Sequence, residues 1–322
     1  MYINFVLLQK LLLFLFNFAP IFLTLKYLTI MKNRREFLKT AALAVAGGIV
    51  APHLLTSCGG SSAPKKHIGL QLYSLRDDVR DIGIQKVLEA VAKMGYVNLE
   101  TAGYSDGKIY GMAPTEFKKM VEDLGMRATS AHLSRNISDN NDEDMAWWNQ
   151  AVDAHNAAGM KYMIMPSSPL NGRGATEDNV KRYAEYFNEI GLITAASSIA
   201  FGYHNHAFEF ENKIDDVPVY DLLLQYTSPR HVLFQNDVYW TKRGGYDPVA
   251  YLKKYADRIK LLHIKDDKAI GASGKIDFKA IFDQFYANGH KDWYVEVEEY
   301  AGTPQEDVKQ SCDFLNKADY VK

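Results

Sequence analysis

The chain has 322 residues, and its 37 Lys and Arg against 39 Asp and Glu leave a formal net charge of −2. This balance lacks the basic excess that is typical of proteins that bind nucleic acid. The sequence holds two cysteines, Cys58 and Cys312, which excludes a framework of several disulfides. The length fits one large domain that follows an N-terminal targeting segment.

The first 57 residues are not expected to belong to the folded domain. Residues 1–30 form a very apolar extension, which reads either as a spanning helix or, as we prefer, as a misplaced start ahead of Met31. Residues 31–57 resemble a twin-arginine signal peptide, in which Arg34 and Arg35 precede an Ala- and Gly-rich stretch. Either interpretation takes the domain out of the cytoplasm.

The signal segment ends in a motif that predicts lipidation. Leu55-Thr-Ser-Cys58 resembles the lipobox of bacterial lipoproteins, in which the cysteine becomes the lipidated first residue. The alternative is an incidental cysteine in a linker, which the order of twin Arg, apolar stretch and lipobox disfavours. We therefore expect an exported lipoprotein, periplasmic or at the cell surface, with its membrane anchor at Cys58. Residues 58–66 would form a flexible tether.

A mature chain that starts at Cys58 would have 265 residues, close to the ~250 that one (β/α)8 barrel needs. Removal of six basic residues and one acidic residue leaves 31 Lys and Arg against 38 Asp and Glu, a charge of −7. A domain this acidic is a poor partner for nucleic acid. Cys312 lies in a helical pattern and is interpreted as a packed thiol.

From residue 67 onward, short apolar runs alternate with amphipathic helical patterns. The predicted strands cover residues 68–73, 97–100, 127–132, 162–165, 201–206, 232–237, 259–263 and 293–298. The predicted helices cover residues 83–93, 114–124, 142–158, 176–199, 217–225, 247–255, 278–287 and 304–315. Eight alternations favour an α/β fold with a single (β/α)8 TIM barrel over residues 67–322, preceded by the export signal and a short linker.

The last four predicted strands each end in a residue that can ligate a metal: His204, Asp237, His263 and Glu296. Successive members are 33, 26 and 33 residues apart, the length of a strand-plus-helix unit. Parallel barrel strands present their C-terminal ends on one face, where the four side chains can converge. Two His and two carboxylates suit one divalent ion such as Mn, Co, Zn, Ni or Fe. The alternatives are a helix N-cap for Asp237 and a hydrogen-bonded barrel histidine for His263.

The pattern resembles the xylose-isomerase-like TIM barrels, often described as sugar phosphate isomerases/epimerases and related to endonuclease IV. The resemblance covers roughly residues 67–320, and three motifs carry it: Gly202-Tyr-His-Asn-His206 with Phe208-Glu-Phe210, Asp237-Val-Tyr-Trp240, and Leu262-His-Ile-Lys-Asp266. The spacing from Gly244-Gly-Tyr-Asp-Pro248 to Arg258 is similar to an exported branch. The family holds one divalent metal on strands five to eight, which implies the same four residues as ligands.

The resemblance and the strand alternation also imply substrate-facing residues. His206 and Glu298 follow His204 and Glu296 by two positions, so each pair shares a face. Glu296 or His206 is the candidate base, and Glu298 is a weaker candidate as a ligand. Two further candidates, Glu100 and His132, lie at the ends of strands two and three, at positions that often face the substrate in the family. The alternative for Glu100 is a salt bridge without a functional role.

Lys265 lies two residues after His263 and is a candidate to hold a substrate hydroxyl or a developing negative oxygen. Its alternative is a surface ion pair with Asp266. Tyr73, Tyr203 and Trp240 are candidates for walls under a sugar ring, or are simply core residues. The adjacent Trp147 and Trp148 are interpreted as packing residues.

One departure from the family bears on the reaction. Ketose 3-epimerases of this superfamily usually carry Glu on strands five and eight, whereas strand five offers His204 here. We expect proton abstraction next to a carbonyl of an unphosphorylated keto-sugar or glycoside, in an isomerase- or epimerase-like reaction or in a lyase or dehydratase reaction. The rivals are a non-catalytic carbohydrate-binding lipoprotein and a phosphodiesterase like endonuclease IV; the acidic charge disfavours the second.

Overall fold

A computed structural model describes residues 66–322, and the predictions for the N-terminal extension, the signal peptide and Cys58 lie outside these residues. Eight parallel strands close into a barrel in which each strand pairs with its neighbours in the chain. In chain order they are β1 (Gly69–Gln71), β2 (Asn98–Thr101), β3 (Arg127–His132), β4 (Tyr162–Met165), β5 (Ala200–His204), β6 (Val232–Asp237), β7 (Ile259–Ile264) and β8 (Asp292–Val295). The predicted TIM barrel is confirmed.

Helices surround the barrel and connect its strands. They are α1 (Arg76–Ile82), α2 (Ile84–Met94), α3 (Pro114–Asp123), α4 (Asn141–Ala158), α5 (Glu177–Ala196), α6 (Phe208–Glu211), α7 (Val219–Tyr226), α8 (Val238–Arg243), α9 (Pro248–Lys254), α10 (Phe278–Ala287) and α11 (Pro304–Lys317). Every predicted helix has a counterpart here. Within residues 66–322, no helix combines the length and the apolar character that a membrane crossing requires.

The fold contains several short elements that were not predicted from the sequence. The 3-10 turn Leu72–Leu75 and α1 follow β1, and α6 and α8 follow β5 and β6. Two small hairpins, 104–109 and 213–218, project from the loops, so residues 217–218 form a strand instead of starting the predicted helix. These elements are too short to produce a period in hydrophobicity, which is the signal on which the predictions rested.

The barrel interior contains its own small apolar layer. Ile164, Leu233, Leu261 and Tyr294 form a buried cluster that is separate from the larger core between strands and helices. Gly202 makes room for this layer, because a Cβ there would lie 2.5 Å from Leu233 Cδ1 and 2.8 Å from Ile164 Cδ1. The layer fills the barrel below the strand ends, so polar side chains collect at the C-terminal rim.

Candidate metal centre and active site

The C-terminal ends of β5 to β8 bring together the four residues that were predicted as metal ligands. One ligand atom from each of His204, Asp237, His263 and Glu296 lies within 4.8 Å of those of the other three, and all four side chains are buried. The strand register contributes to this arrangement, since Asp237 of β6 pairs with His263 of β7. Together they form a group that is able to hold a metal ion.

The hydrogen bonding of this group tests whether a cation fits. Asp237 Oδ2 and His204 Nδ1 are buried, and neither makes a hydrogen bond to any residue that the structure describes. Burial raises the pKa of Asp237 to about 7, although nearby Lys265 opposes this shift. Burial also lowers the pKa of His204 well below its usual value, so that imidazole is neutral. An unsatisfied carboxylate oxygen and a neutral imidazole suit a divalent cation.

Asp237 has one oxygen atom for each of the two roles that the sequence left open. It is the N-cap of α8, where its Oδ1 accepts a hydrogen bond from the backbone N–H of Trp240 at 2.8 Å. Its Oδ2 makes no hydrogen bond within the described residues, so this oxygen is available to a cation. A single carboxylate can serve both roles because its two oxygens point to different partners.

Glu100 lies completely buried inside the barrel, and four side chains donate hydrogen bonds to it. Ser130 Oγ (2.6 Å) and Gln235 Nε2 (2.8 Å) bond Oε1, while Gln71 Nε2 (2.8 Å) and His263 Nε2 (2.5 Å) bond Oε2. Glu100 is therefore saturated by protein groups and does not line the cavity at the barrel mouth. Its position suits the orientation of His263 better than contact with a substrate.

Charge reinforces the contact between Glu100 and His263. Burial alone would raise the pKa of Glu100, but His132 and His263 outweigh burial and lower it to about 2. Burial also opposes a charge on His263, yet Glu100 and Glu296 raise its pKa to about 10. His263 Nε2 is therefore protonated and donates its hydrogen bond to Glu100. The other ring nitrogen, Nδ1, faces Glu296 and lies 3.3 Å from Glu296 Oε2.

His132 lies beside the four predicted ligands. It forms a second group of mutually close ligand atoms with His204 and His263. Its Nε2 already contacts Gln235 Oε1 at 2.8 Å and Glu100 Oε2 at 3.2 Å. The group of His204, Asp237, His263 and Glu296 is therefore the better candidate centre. It adds the Asp237 oxygen that lacks a hydrogen bond, and two carboxylates that can balance the charge of a cation.

A cavity of about 420 Å³ opens above the candidate centre. Its lining includes His132, His204, His206, Glu296 and Glu298 of the predicted site residues. The His206 ring lies 5.0 Å from that of His204, and its Nδ1 makes no hydrogen bond within the described residues. Burial lowers the pKa of His206 to about 4, so its imidazole is neutral near pH 7 and can accept a proton.

Lys265 is a buried cation and not half of a surface ion pair, so the alternative pairing with Asp266 is wrong. Its Nζ lies 2.9 Å from Glu298 Oε2 and 3.5 Å from Glu296 Oε2. Burial opposes its charge, but these carboxylates and Asp237 outweigh burial and raise its pKa. Asp266 instead accepts hydrogen bonds from the backbone N–H groups of the loop after β7.

The aromatic predictions had a mixed outcome. Tyr73, 44% exposed, lines the cavity as expected. Tyr203 is fully buried and packs against Phe187 of α5, so it is a core residue. Because it is the neighbour of inward-facing His204 on β5, strand alternation turns it outward to the helices. Trp147, which was interpreted as packing, lines the cavity, whereas Trp148 is buried.

Glu209 is a site-related residue of the Phe208-Glu-Phe210 motif, for which the sequence predicted no role. This buried carboxyl accepts hydrogen bonds from the Tyr203 hydroxyl at 2.6 Å and from the backbone N–H of His206 at 2.7 Å. Burial raises its pKa to about 8 in spite of these donors. It fixes the backbone that carries His206 toward the cavity, and its only signal in the sequence was its place between two aromatic residues.

A parallel barrel with ligand-forming residues at its C-terminal rim defines a TIM barrel with a candidate metal-dependent active site. The sequence model of the family described as "Xylose isomerase-like TIM barrel" matches residues 88–318. The chain therefore belongs to the xylose isomerase-like TIM barrel family, and it is an enzyme of that superfamily. The resemblance drawn from the sequence motifs is confirmed.

Three proteins are similar to this chain to different degrees. A solved sugar phosphate isomerase/epimerase from Parabacteroides distasonis shares 40% identity and a TM-score of 0.73, over 80% of this chain and 100% of that chain. An inosose dehydratase from Geobacillus kaustophilus is 25% identical over 60% of this chain and 66% of its own length, just under two thirds. A solved 3-keto-D-glucoside 4-epimerase from E. coli shares the fold, with 16% identity and a TM-score of 0.59, over 79% of this chain and 100% of that chain.

Proposed function

We propose that His204, Asp237, His263 and Glu296 hold one divalent cation and that the enzyme removes a proton next to a carbonyl of an unphosphorylated keto-sugar or glycoside. The observation that carries this proposal is the convergence of four buried residues that can ligate a metal, two of which, His204 and Asp237, carry a side-chain atom without a hydrogen bond, beside a cavity. When bound, the cation supplies Lewis acidity toward the carbonyl oxygen of the substrate.

His206 is the proposed base. It lines the cavity, it is neutral near pH 7, and its Nδ1 has no hydrogen-bond partner among the described residues. Glu296 also reaches the cavity, but Lys265 and His263 hold its pKa well below the usual value despite burial. An ionised Glu296 with such neighbours is better suited to bind a metal ion than to accept a proton. Of the two residues that the sequence offered as the base, we therefore choose His206.

Glu298 is proposed to hold an oxygen atom of the substrate, and Lys265, which does not line the cavity, is proposed to act electrostatically from behind Glu296 and Glu298. The protonated Lys265 amine is kept at the site by Glu296 and Glu298 and offers a positive charge near any oxygen that becomes negative. Glu298 reaches the cavity itself and can accept a hydrogen bond from a sugar hydroxyl. Glu100 acts through His263 and not on the substrate.

Two observations favour elimination over epimerisation as the completed reaction. His206 has no symmetrical carboxylate partner, since β5 carries His204 where 3-epimerases of the superfamily usually carry Glu. Several relatives of the chain, at 22–26% identity, are inosose dehydratases. In an elimination the C–H proton goes to His206, and the electron pair of the broken C–H bond forms a C=C bond. The β substituent leaves with its bonding electrons and takes up a proton from water, and His206 later returns its own proton to water.

The composition of the cavity supports an unphosphorylated substrate. Among the described residues, its lining includes His, Glu, Ser and aromatic side chains but no Lys or Arg. A phosphate ester is usually bound by such cations or by a Gly-rich loop at a helix N-terminus. The predicted export agrees with this, and we propose that the mature protein is a lipoprotein that is anchored through Cys58.

A deuterium exchange experiment tests the proposed reaction. Metal-loaded protein is incubated in D2O with a panel of keto-inositols, keto-sugars and keto-glycosides, and the products are followed by NMR. We expect deuterium at a carbon next to the carbonyl, or release of the β substituent where one is present, and loss of both in His206→Asn. A panel that shows binding without exchange or elimination would favour a carbohydrate-binding protein instead.

A further inference from the structure

The barrel has a second cavity of about 570 Å³ at the rim opposite to the candidate active site. Its lining includes the residues at which three strands begin: Arg127 starts β3, while Lys161 and Lys291 directly precede β4 and β8. Lys322, at the far end of the chain, lines the same cavity. The starts of parallel strands lie at the end of the barrel away from their C-terminal rim, so this surface faces away from the candidate metal centre.

The positive charge of this surface is largely uncompensated. Arg127, Lys161, Lys291 and Lys322 are exposed, and none of them has a carboxylate within 4 Å among residues 66–322. The lining contains Glu122, whose Oε1 lies 4.0 Å from Lys118 Nζ, and Asp292, which accepts a hydrogen bond from the Tyr162 hydroxyl. A cluster of unpaired cations stands out in a domain whose predicted mature charge is −7.

The N-terminal segment joins the domain at the same rim. His67 lines the second cavity and lies two residues before β1. Adjacent Lys66 donates hydrogen bonds to the carbonyls of Leu315 and Ala318, so the start of the described chain is fixed to the end of α11. A tether of residues 58–66 that is anchored through Cys58 would therefore keep this rim close to the membrane.

We propose that this basic rim (Arg127, Lys161, Lys291 and Lys322) is a docking surface for anionic phospholipid headgroups. Lys and Arg near an anionic bilayer gain electrostatic attraction, and a tether adds a high effective concentration. The candidate active site then opens away from the membrane, where a soluble substrate can enter. The inference goes beyond the proposed function; it is independent of the proposed reaction, but its choice of partner rests on the proposed lipid anchor at Cys58.

Vesicle sedimentation of the domain that covers residues 66–322 tests the basic rim in the absence of the proposed lipid anchor at Cys58. The solved chain from Parabacteroides distasonis corresponds over its whole length to 80% of this chain. A barrel of this length therefore folds there without an N-terminal segment like residues 1–65. The test variant replaces the four residues of the basic rim with Gln. The control variant replaces Lys242, Arg243, Lys268 and Lys275 with Gln, which removes the same charge from exposed positions near the C-terminal ends of β6 and β7.

We expect binding to vesicles that contain phosphatidylglycerol, no binding to pure phosphatidylcholine, and loss of binding at high salt. The test variant should bind at least about tenfold more weakly, and the control variant should bind like the wild type. No binding by the wild type at low salt, or equal binding by both variants, would overturn the proposal. Displacement from the vesicles by millimolar glycerol phosphate would also overturn it, in favour of a pocket for a small anion. Thermal melting of both variants checks that they are folded.

Discussion

The carboxylate of Glu100 accepts a hydrogen bond from Nε2 of His263 at 2.5 Å, and Nδ1 of the same ring points toward Glu296. This contact selects the ring nitrogen that is available to a cation. Hydrogen bonds from Gln71, Ser130 and Gln235 hold Glu100 itself in place. Carboxylate–histidine pairs of this kind orient metal ligands in many proteins and raise the basicity of the imidazole.

Replacement of Glu100 by Gln is expected to weaken metal binding by about 10- to 100-fold. The amide of Gln cannot accept all four hydrogen bonds, because its NH2 group would replace an oxygen that faces two donors. Titration calorimetry with Mn²⁺ or Co²⁺ measures the affinity without any need for a substrate. The matched control is Glu298→Gln, which changes a carboxylate that lines the cavity and does not touch His263. An equal loss in both variants would show that Glu100 acts only through its charge.

Asp237 offers a test that separates its two roles in protein without metal. The raised pKa means that the folded state keeps a proton that the unfolded state loses, so stability falls as the pH rises from about 3.8 to about 7. Asp237→Asn removes this penalty, which is about 4 kcal/mol or less at pH 8, and keeps an oxygen for the cap. Asp237→Ala also removes the charge but loses the cap, so it should be about 1 kcal/mol less stable than Asp237→Asn.

Urea denaturation at pH 8 in the presence of a chelator measures both differences. The stability of the Asn variant should exceed that of the wild type, and the order of Asn above Ala isolates the N-cap. If the wild type is the most stable of the three without metal, the buried carboxylate is compensated in some other way and the argument for a cation at Asp237 weakens.

His155 gives a pH dependence that is remote from the candidate centre. This fully buried histidine uses one ring nitrogen to contact the Ala151 carbonyl, and burial lowers its pKa to about 4. Above pH 6.5, His155 is neutral in both the folded and the unfolded protein. As the pH falls from about 6.5 to about 4, it takes up a proton only in the unfolded protein. This group should therefore cost about 3 kcal/mol of stability across that window.

The comparison of wild type with His155→Gln at pH 5 and pH 7 measures this contribution. Gln is neutral throughout, so the variant should lose less stability on acidification than the wild type. Equal losses would mean that another group dominates the acid sensitivity of the domain.

Two adjacent tryptophans should differ sharply when each is changed to Ala. Trp148 is fully buried and donates a hydrogen bond from Nε1 to the Tyr186 hydroxyl at 2.8 Å, so its loss should cost about 3–5 kcal/mol. Trp147 is only partly buried and lines the cavity, so Trp147→Ala should be much less destabilising and should raise KM for the substrate while metal affinity stays unchanged. A loss of metal from Trp147→Ala would show a wider collapse of the site.

The barrel and its candidate ligands could be predicted because the two signals coincide. Each of the last four predicted strands ends in a His or a carboxylate, and barrel geometry carries those ends to one rim. The resemblance to a family then assigned one ligand to each strand. The same alternation argument, applied to Tyr203, would have corrected the prediction of a cavity wall, because its neighbour His204 faces inward.

The surroundings of the ligands were harder to predict. Gln235 lies in a buried strand and bonds both Glu100 and His132, but a single Gln in an apolar run does not reveal its partners on other strands. The position of Trp147 depends on how the N-terminal half of α4 lies over the barrel mouth, which periodicity does not encode. These contacts join residues far apart in the chain, so local sequence patterns carry little information about them.

Metal content tests the central claim most directly. Full-length protein, purified without chelators and then offered Mn²⁺, Co²⁺ or Zn²⁺, is measured by mass spectrometry of the metal and protein alongside Asp237→Asn, which keeps the helix cap. The account predicts one tightly held divalent ion per chain in the wild type and a large loss in the variant. A wild type that binds no divalent ion, or a variant that binds the ion equally well, would contradict it.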